Sequence, residues 1–243
     1  MSTLYVFVDF DNVEQGLKSA GPVALARTIL TLVSNSLLRQ HDEAIVRLYG
    51  GWRSGGGLTS SAQKLIPDIR ASSPAIFPYT LDGTIYNIRL IVELAEKPLG
   101  SSVILSETYV KDRSLRKFRV RQKPWDGCHN PQCGYQIYSG AGGNDVCPNQ
   151  SCSVRLVDIF VRDEQKMVDT LMVADIARVT LVEGCRDIVM VSSDTDMWPG
   201  LLLAMSAGCY VTHVHTKQGW KTQRHLMQTI DGLLGRFYSS TSP

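Results

Sequence analysis

The chain has no apolar run long enough to cross a bilayer, and Met1-Ser2-Thr3 leads straight into strand-like residues without a basic n-region or a small-residue cleavage site. Both a membrane protein and a secreted one are therefore disfavoured, and the expectation is a cytoplasmic protein. It has little net charge, only +2 over 243 residues. There is no internal repeat. Gly55-Gly56-Gly57 lacks the lysine and the following helix of a P-loop, and reads as a flexible loop. What remains is ordinary for a soluble globular protein, 44% hydrophobic and 20% charged residues. The length suffices for a full core in one domain, or in one domain with a small insert.

The charge is unevenly spread. Between Glu107 and Lys123 stand seven basic residues and two acids, a local +5 that leaves −3 for the rest of the chain. A concentrated positive field points to a binding surface for a polyanion. Within it, Lys117, Arg119, Arg121 and Lys123 alternate with Phe118, Val120 and Gln122, the period of two expected of a half-exposed strand. Cations on one face of a strand recur at about 7 Å, near the phosphate repeat of an extended single strand. The same charges would also suit a solvated edge strand that resists pairing with other chains.

Cysteine is scarce and clustered. Four of the six, Cys128, Cys133, Cys147 and Cys152, fall within 25 residues as two x₄ pairs separated by thirteen residues. Without a secretory leader a disulfide framework is the poorer reading, and four thiolates complete the tetrahedral shell of a structural Zn²⁺. Pro131, Gly134 and Pro148 suit the tight turns of a zinc ribbon, although the x₄ spacing is longer than the usual x₂. Reduced surface thiols stay open as an alternative, and His129 as a substitute ligand. Trp125, Tyr135 and Tyr138 would either stack on bases or pack the small module. Cys185 and Cys209 lie in apolar surroundings and read as core thiols.

Elsewhere the pattern alternates strand and helix. Strands are expected at Leu4–Asp9, Ala44–Tyr49, Ile85–Ala95, Asp187–Val191 and Cys209–Val214. Helices are expected at Pro22–Leu38, Ser60–Arg70, Glu164–Val182, Pro199–Ser206 and Gln223–Leu234. Arg116–Lys123 and Val154–Val161 should pair as strands around the cysteine cluster. This alternation predicts an α/β fold, a mostly parallel sheet with helices on both faces. The expected organisation is residues 1–123 and 154–238 as the main domain, 124–153 as an inserted zinc module, and 239–243 as a disordered tail.

The acids converge on one edge of such a sheet. Asp9 ends the first strand, with Asp11 and Asn12 behind it, and Asp194 and Asp196 follow the run Ile188–Val191. Open α/β sheets bind ligands beyond the carboxyl ends of their strands. Asp169 lies in the opening turns of its helix and so near that edge. Asp175 is about 9 Å deeper and roughly 120° around the helix axis; it is expected to be solvated or paired with Arg178. Converging carboxylates repel one another unless a hard cation such as Mg²⁺ or Mn²⁺ lies between them. For any one of these acids, capping the helix that follows is a sufficient explanation. Lys166, three residues before Asp169, could meet a phosphate or hold a carboxylate. His213 and His215 share one strand face, where packing is the plainer role and general base the sharper one.

Three blocks, Val8-Asp9-Phe10-Asp11-Asn12, Lys166-Met167-Val168-Asp169 and Ser192-Ser193-Asp194-Thr195-Asp196-Met197, resemble in order the signature segments of NYN-domain nucleases, a branch of the PIN-like superfamily. The resemblance covers the chain apart from the cysteine insert. It implies a PIN-like, Rossmannoid fold and a metal-dependent (endo)ribonuclease. In it Asp9, Asp169, Asp194 and Asp196 would hold Mg²⁺ or Mn²⁺, and Asn12 would orient the acids or the substrate. Met167 stands where the family often has glycine, and Ser193 replaces the usual glycine between Ser192 and Asp194. The expected partner is nucleic acid, RNA over DNA, with the oligomeric state, a homodimer included, left open. Two other classes compete. Asp9-Phe10-Asp11 also resembles the nucleophile motif of haloacid-dehalogenase-type phosphatases, a reading that leaves Asp169 without a task. A non-catalytic RNA-binding adaptor would keep the fold, but gains nothing by aiming carboxylates at phosphates.

Overall fold

The computed structural model describes residues 2–112, 119–120, 160–165, 167–216 and 219–241. The chain divides into two compact units, Met1–Thr108 with Lys166–Pro243, and Tyr109–Gln165. The larger unit carries strands β1 (Thr3–Asp9), β2 (Glu43–Tyr49), β3 (Arg53–Ser54), β4 (Gly57–Leu58), β5 (Ala75–Leu81) and β6 (Thr84–Leu94). The smaller unit supplies β7 (Tyr109–Asp112), β8 (Arg119–Val120) and β9 (Phe160–Gln165). The larger then resumes with β10 (Asp187–Val191), β11 (Tyr210–His215) and β12 (Phe237–Thr241). Its helices are α1 (Gln15–Ser19), α2 (Pro22–Thr31), α3 (Asn35–Leu38), α4 (Ser60–Ser72), α5 (Val168–Leu181), α6 (Trp198–Ser206) and α7 (Arg224–Thr229).

Seven strands of the larger unit form one sheet in the order β12-β11-β10-β1-β2-β6-β5. Every neighbouring pair is parallel except β5 with β6. The fold is therefore α/β with a mostly parallel mixed sheet. Central strands buried on both faces must be apolar throughout, which is why β1 and β10 read as unbroken hydrophobic runs. Leu4, Val6 and Val8 pack with α2 and α4 on one face; Phe7 packs with α5 and α6 on the other. At Gly200 in α6 an added Cβ would meet Val173 of α5 at 3.4 Å, so glycine permits the close approach of these two helices. The chain winds outward from β1 to β2 and β6, then returns to the other flank of β1 as β10 and continues to β11 and β12. That reversal makes a topological switch point between β1 and β10. Among the described residues no helix is long and apolar enough to cross a membrane.

Several elements differ from the pattern read in the sequence. The helix expected over Pro22–Leu38 is two pieces, because Ser34 accepts a hydrogen bond from the Leu37 N–H and starts α3 afresh. Helix α5 begins at Val168, not Glu164: Phe160–Gln165 is paired as a strand with β7, and Met167 then turns the chain through a left-handed conformation. The last helix stops at Thr229 and continues as a 3₁₀ turn over Asp231–Arg236. The tail expected to be disordered from 239 is corrected for Ser239–Thr241, which pair in parallel with His213–His215. β-branched and hydroxyl side chains serve well on an edge strand with one wet face. Strand β5 was not legible because Pro78 sits in it, which only an edge strand tolerates.

In the smaller unit, β9 pairs antiparallel with both β7 and β8, with Arg119 opposite Val161 and Val120 opposite Phe160. The hairpin pairing expected around the cysteine cluster is present as far as it is described. The unit's limits, Tyr109 and Gln165, are wider than the expected insert of 124–153. Cys128, Cys133, Cys147 and Cys152, with Lys117, Arg121, Lys123 and Lys166, lie outside the described residues.

Candidate active site

The switch point brings together the ends of β1 and β10 and the start of α5. Val8 is opposite Val191, so Asp9 and Ser192 are the first residues past the paired apolar runs. Asp9 shares the alternation of Tyr5 and Phe7 and therefore faces the side of the sheet that α5 covers. Helix α5 precedes β10 and runs back against it, so its first turn, with Asp169, lies at the carboxyl edge of the sheet.

Asp9 is buried, 3% exposed, and its carboxylate is held from two directions. Ser192 Oγ donates to Oδ2 at 2.9 Å, and Asn12 donates to the same oxygen through its side-chain amide. The Asn12 backbone N–H reaches Oδ1 at 3.4 Å. Burial pushes the Asp9 carboxyl above its ordinary range, the Asn12 and Ser192 hydrogen bonds oppose that rise, and Asp194 adds to it. Ser193 Oγ donates to Asn12 Oδ1 at 3.2 Å, so Ser193 orients the asparagine. The Asp194 N–H donates to Ser192 Oγ at 2.9 Å, and Asp194 Oδ1 accepts from the N–H groups of Thr195 and Asp196 at 2.6 and 3.2 Å. Asp9 and Asp194 thus do cap the turns that follow them, one oxygen being used for the purpose in each case.

Asp169 is different. Its carboxyl is pushed up to about 6, first by burial and then by the negative charges of Asp9, Asp194 and Asp196. A first-turn acid should instead be eased by the positive end of the helix dipole, an effect of about 0.3–1 kcal/mol. Burial, with the neighbouring carboxylates behind it, outweighs that easing. All four acids read from the sequence as a set are therefore electrostatically one cluster, and Asn12 belongs to it through Asp9. No three His, Cys, Asp or Glu side chains among the described residues stand in an arrangement that could hold an ion. The donors are nonetheless of the hard-oxygen kind that Mg²⁺ and Mn²⁺ prefer. The mutual repulsion felt at Asp169 is the imbalance a divalent cation would relieve.

Asp175 corrects the expectation of a solvated side chain or a pair with Arg178. It is 1% exposed and faces the sheet. Oδ2 accepts from Arg47 Nε at 3.0 Å and from Tyr49 Oη at 2.7 Å, and Oδ1 accepts from the Leu99 N–H at 2.7 Å. Burial and the adjacent Asp175 push the Tyr49 phenol well above its usual range, so it stays protonated and donates. Arg47, itself buried, also reaches Glu93 and the Lys97 carbonyl. Arg178 pairs instead with Glu183, at 3.3 Å. Sequence reading missed this network, yet an arginine inside an apolar central strand was its signal, since a buried guanidinium requires partners.

His213 and His215, on the same face of β11 as expected, are 5% and 4% exposed with ring centroids 4.2 Å apart. Burial lowers His215, and burial with the neighbouring imidazole lowers His213 to about 4. His213 Nε2 meets the Ser192 carbonyl at 2.7 Å and so supports the loop that carries Asp194. A wider groove of about 890 Å³ lies beside the amino-terminal ends of β10 and β11, lined in part by Arg186, Asp187 and Tyr210, and none of the clustered acids lines it.

Comparison with protein-family models, with curated proteins and with solved structures finds no match to this chain. The functional reading therefore stands on the site's own chemistry.

Proposed function

We propose that the protein is a metal-dependent nuclease of NYN/PIN-like type that hydrolyses phosphodiester bonds in RNA. The observation that supports this reading is the electrostatic coupling of Asp169 to Asp9, Asp194 and Asp196 at the carboxyl edge of the sheet, which adds to burial in raising Asp169 to about 6. Unrelieved negative charge at a sheet's ligand edge is costly to a pure binding protein and useful to an enzyme that recruits a cation. Asp9, Asp169, Asp194 and Asp196 would hold Mg²⁺ or Mn²⁺. The bound ion supplies a more acidic water and neutralises charge on the phosphate. The chain's own residues prepare that site. Asn12 and Ser192 fix the Asp9 carboxylate, Ser193 fixes Asn12, and the Ser192 hydroxyl ties the Asp194 loop to β1. Asp169, in the first turn of α5, would bind the ion directly or through water, or orient the attacking water.

Lys117, Arg119, Arg121, Lys123 and Lys166 would follow the RNA backbone. Cys128, Cys133, Cys147 and Cys152 would bind a structural Zn²⁺ that folds a ribbon and does no chemistry, having no open position. About one zinc per chain in the purified protein is the expected analysis, and a zinc-free protein with paired cysteines would remove the ribbon from the reading.

The decisive experiment compares wild type with Asp194→Asn on labelled single-stranded RNA, structured RNA and single-stranded DNA in Mn²⁺, Mg²⁺ or EDTA. Cleavage that needs the ion and falls at least a hundredfold in the folded variant is expected. Cleavage retained by the variant would sink the cluster as the active site. Hydrolysis of small phosphomonoesters, lost in Asp9→Asn, would favour the phosphatase reading instead.

A further inference from the structure

Beside Asn12, toward the end of β11, a recess of about 10 Å³ opens among Asn12, Ser192, Ser193, His215, Thr216 and Trp220. That space admits one water-sized group. Hydrogen bonds of fixed direction set its polarity. The Ser192 carbonyl can only accept, so His213 Nε2, 2.7 Å away, carries the proton and His213 Nδ1 is bare. The bare nitrogen accepts from Thr222 Oγ1 at 3.0 Å. Thr222 Oγ1, its own proton committed, accepts in turn from His215 Nε2 at 3.2 Å. His215 Nδ1 is thereby left as a lone pair. It is buried and has no partner among the described residues, in a side chain only 4% exposed. Buried acceptors are nearly always paired, and one left open beside a catalytic cluster awaits a donor.

We propose that the recess receives the ribose 2′-hydroxyl of an RNA strand, which donates to His215 Nδ1, and that His215 thereby selects ribose over deoxyribose. The inference rests on the nuclease reading of the neighbouring acids. The recess matches a hydroxyl in size. Asn12 and Ser193 also line it. Asn12 both lines the recess and bonds directly to Asp9, which sets the recess beside the acids. Trp220, which also lines the recess and is 45% exposed, would supply the aromatic side chain on which the attached base stacks. The 2′-hydroxyl is the group by which a protein tells RNA from DNA. A site built around a substrate hydroxyl discriminates strongly against the analogue that lacks it.

The test uses one RNA oligonucleotide in three forms, with 2′-hydroxyl, 2′-deoxy or 2′-fluoro at the cleaved nucleotide. Wild type should cut the hydroxyl form about tenfold faster than either of the others, since fluorine cannot donate. His215→Gln retains a donor toward Thr222 but loses the acceptor, and should bring the three rates within about twofold. His215→Asn places an amide oxygen near the Nδ1 position and should restore the preference. Affinity of the three oligonucleotides for the cleavage-deficient Asp194→Asn protein, with and without each His215 change, gives a second readout that needs no turnover, and thermal melting checks the fold. Equal loss on all three substrates in His215→Gln, a preference that survives in it, or a 2′-fluoro substrate cut like the hydroxyl form would overturn the proposal. Asp194→Asn that still cleaves would instead remove the nuclease reading beneath it.

Discussion

Asp169 and Asp175 lie six residues apart on one helix and live in opposite electrostatic worlds. Asp175 is buried against Arg47, Tyr49 and the Leu99 N–H, so each of its oxygens has a donor. Asp169 is half-buried, and is pushed up to about 6 first by that burial and then by the charges of Asp9, Asp194 and Asp196. The first arrangement consumes charge to pin α5 to the sheet. The second leaves charge unspent at a sheet edge. A satisfied buried acid therefore marks architecture, and an acid held against its own kind is what the proposed cation site would call for. The two are coupled in space, since the Asp175 anchor fixes the helix whose first turn carries Asp169.

The strongest way to break this contrast is to remove one acid at a time. Asp175→Ala takes one of two carboxylate partners from the buried Arg47 and leaves the Tyr49 hydroxyl and the Leu99 N–H without their acceptor, a loss of about 3–5 kcal/mol for a disrupted internal pair. The melting temperature should fall by about 10 °C or more. Asp169→Asn should leave stability unchanged or slightly improved while cleavage is lost, because it removes repulsion and no donor among the described residues loses a partner. Calorimetry on both variants decides the point; an Asp169→Asn protein as unstable as Asp175→Ala would erase the distinction. Replacing Arg47 and Asp175 together by apolar residues of similar volume should recover most of the stability, as the desolvation of both charges is then avoided.

Titration sharpens it next. The folded Asp169 carboxyl titrates near 6, above its unfolded value near 3.8. Between those values the folded state binds the extra proton, so this group's contribution to stability declines as pH rises from about 4 to 6. His213 works in the other direction. Its folded value is lowered to about 4 from 6.5, so the unfolded state binds the extra proton, and stability rises with pH across that window. Melting curves in EDTA from pH 4 to 7 should show a steeper rise in Asp169→Asn than in wild type, because the Asp169 decline is gone while the opposing declines from the raised Asp9 and Asp11 and the rises from the lowered His213 and His215 remain in both proteins. Mn²⁺ should flatten the Asp169 contribution in wild type and leave the variant's profile unmoved. Identical slopes in the two proteins would mean that Asp169 is not held up by its neighbours.

Much of this was legible because buried parallel strands must be apolar end to end, so their exits are sharply marked. Asp9 and Asp194 stood at two such exits, and the alternation of elements was enough to predict an α/β sheet. The partner of Asp175 was not legible, because a helix period says which residues share a face but not which strand that face meets. Arg47 was the available hint. Ser192 and His213, which support the Asp9 and Asp194 geometry, needed the β1–β10–β11 neighbourhood. That order follows from a chain reversal that no local pattern encodes. Ser239–Thr241 was read as tail because short hydroxyl-rich runs look alike whether they pair or not.

Met167 gives the smallest effect and touches the comparison at its hinge. It is the residue before α5, with φ 61°, the left-handed region that side chains other than glycine resist. The resemblance at this position is to a family that often has glycine there, and the backbone supplies the physical reason. Left-handed geometry costs a side chain about 1–2 kcal/mol, while glycine gives back part of that, about 0.5–1 kcal/mol, through the freedom of its unfolded chain. Met167→Gly should therefore stabilise the protein by about 0.5–1 kcal/mol, read as a small rise in denaturant midpoint. Met167 is 45% exposed, so little packing is lost with its side chain. A destabilised Met167→Gly would show that the side chain, and not the turn, sets where α5 begins. An unchanged Asp169 titration in the stabilised variant would place the strain in the backbone ahead of the helix and leave the carboxylate cluster as an independent source of tension at the same edge.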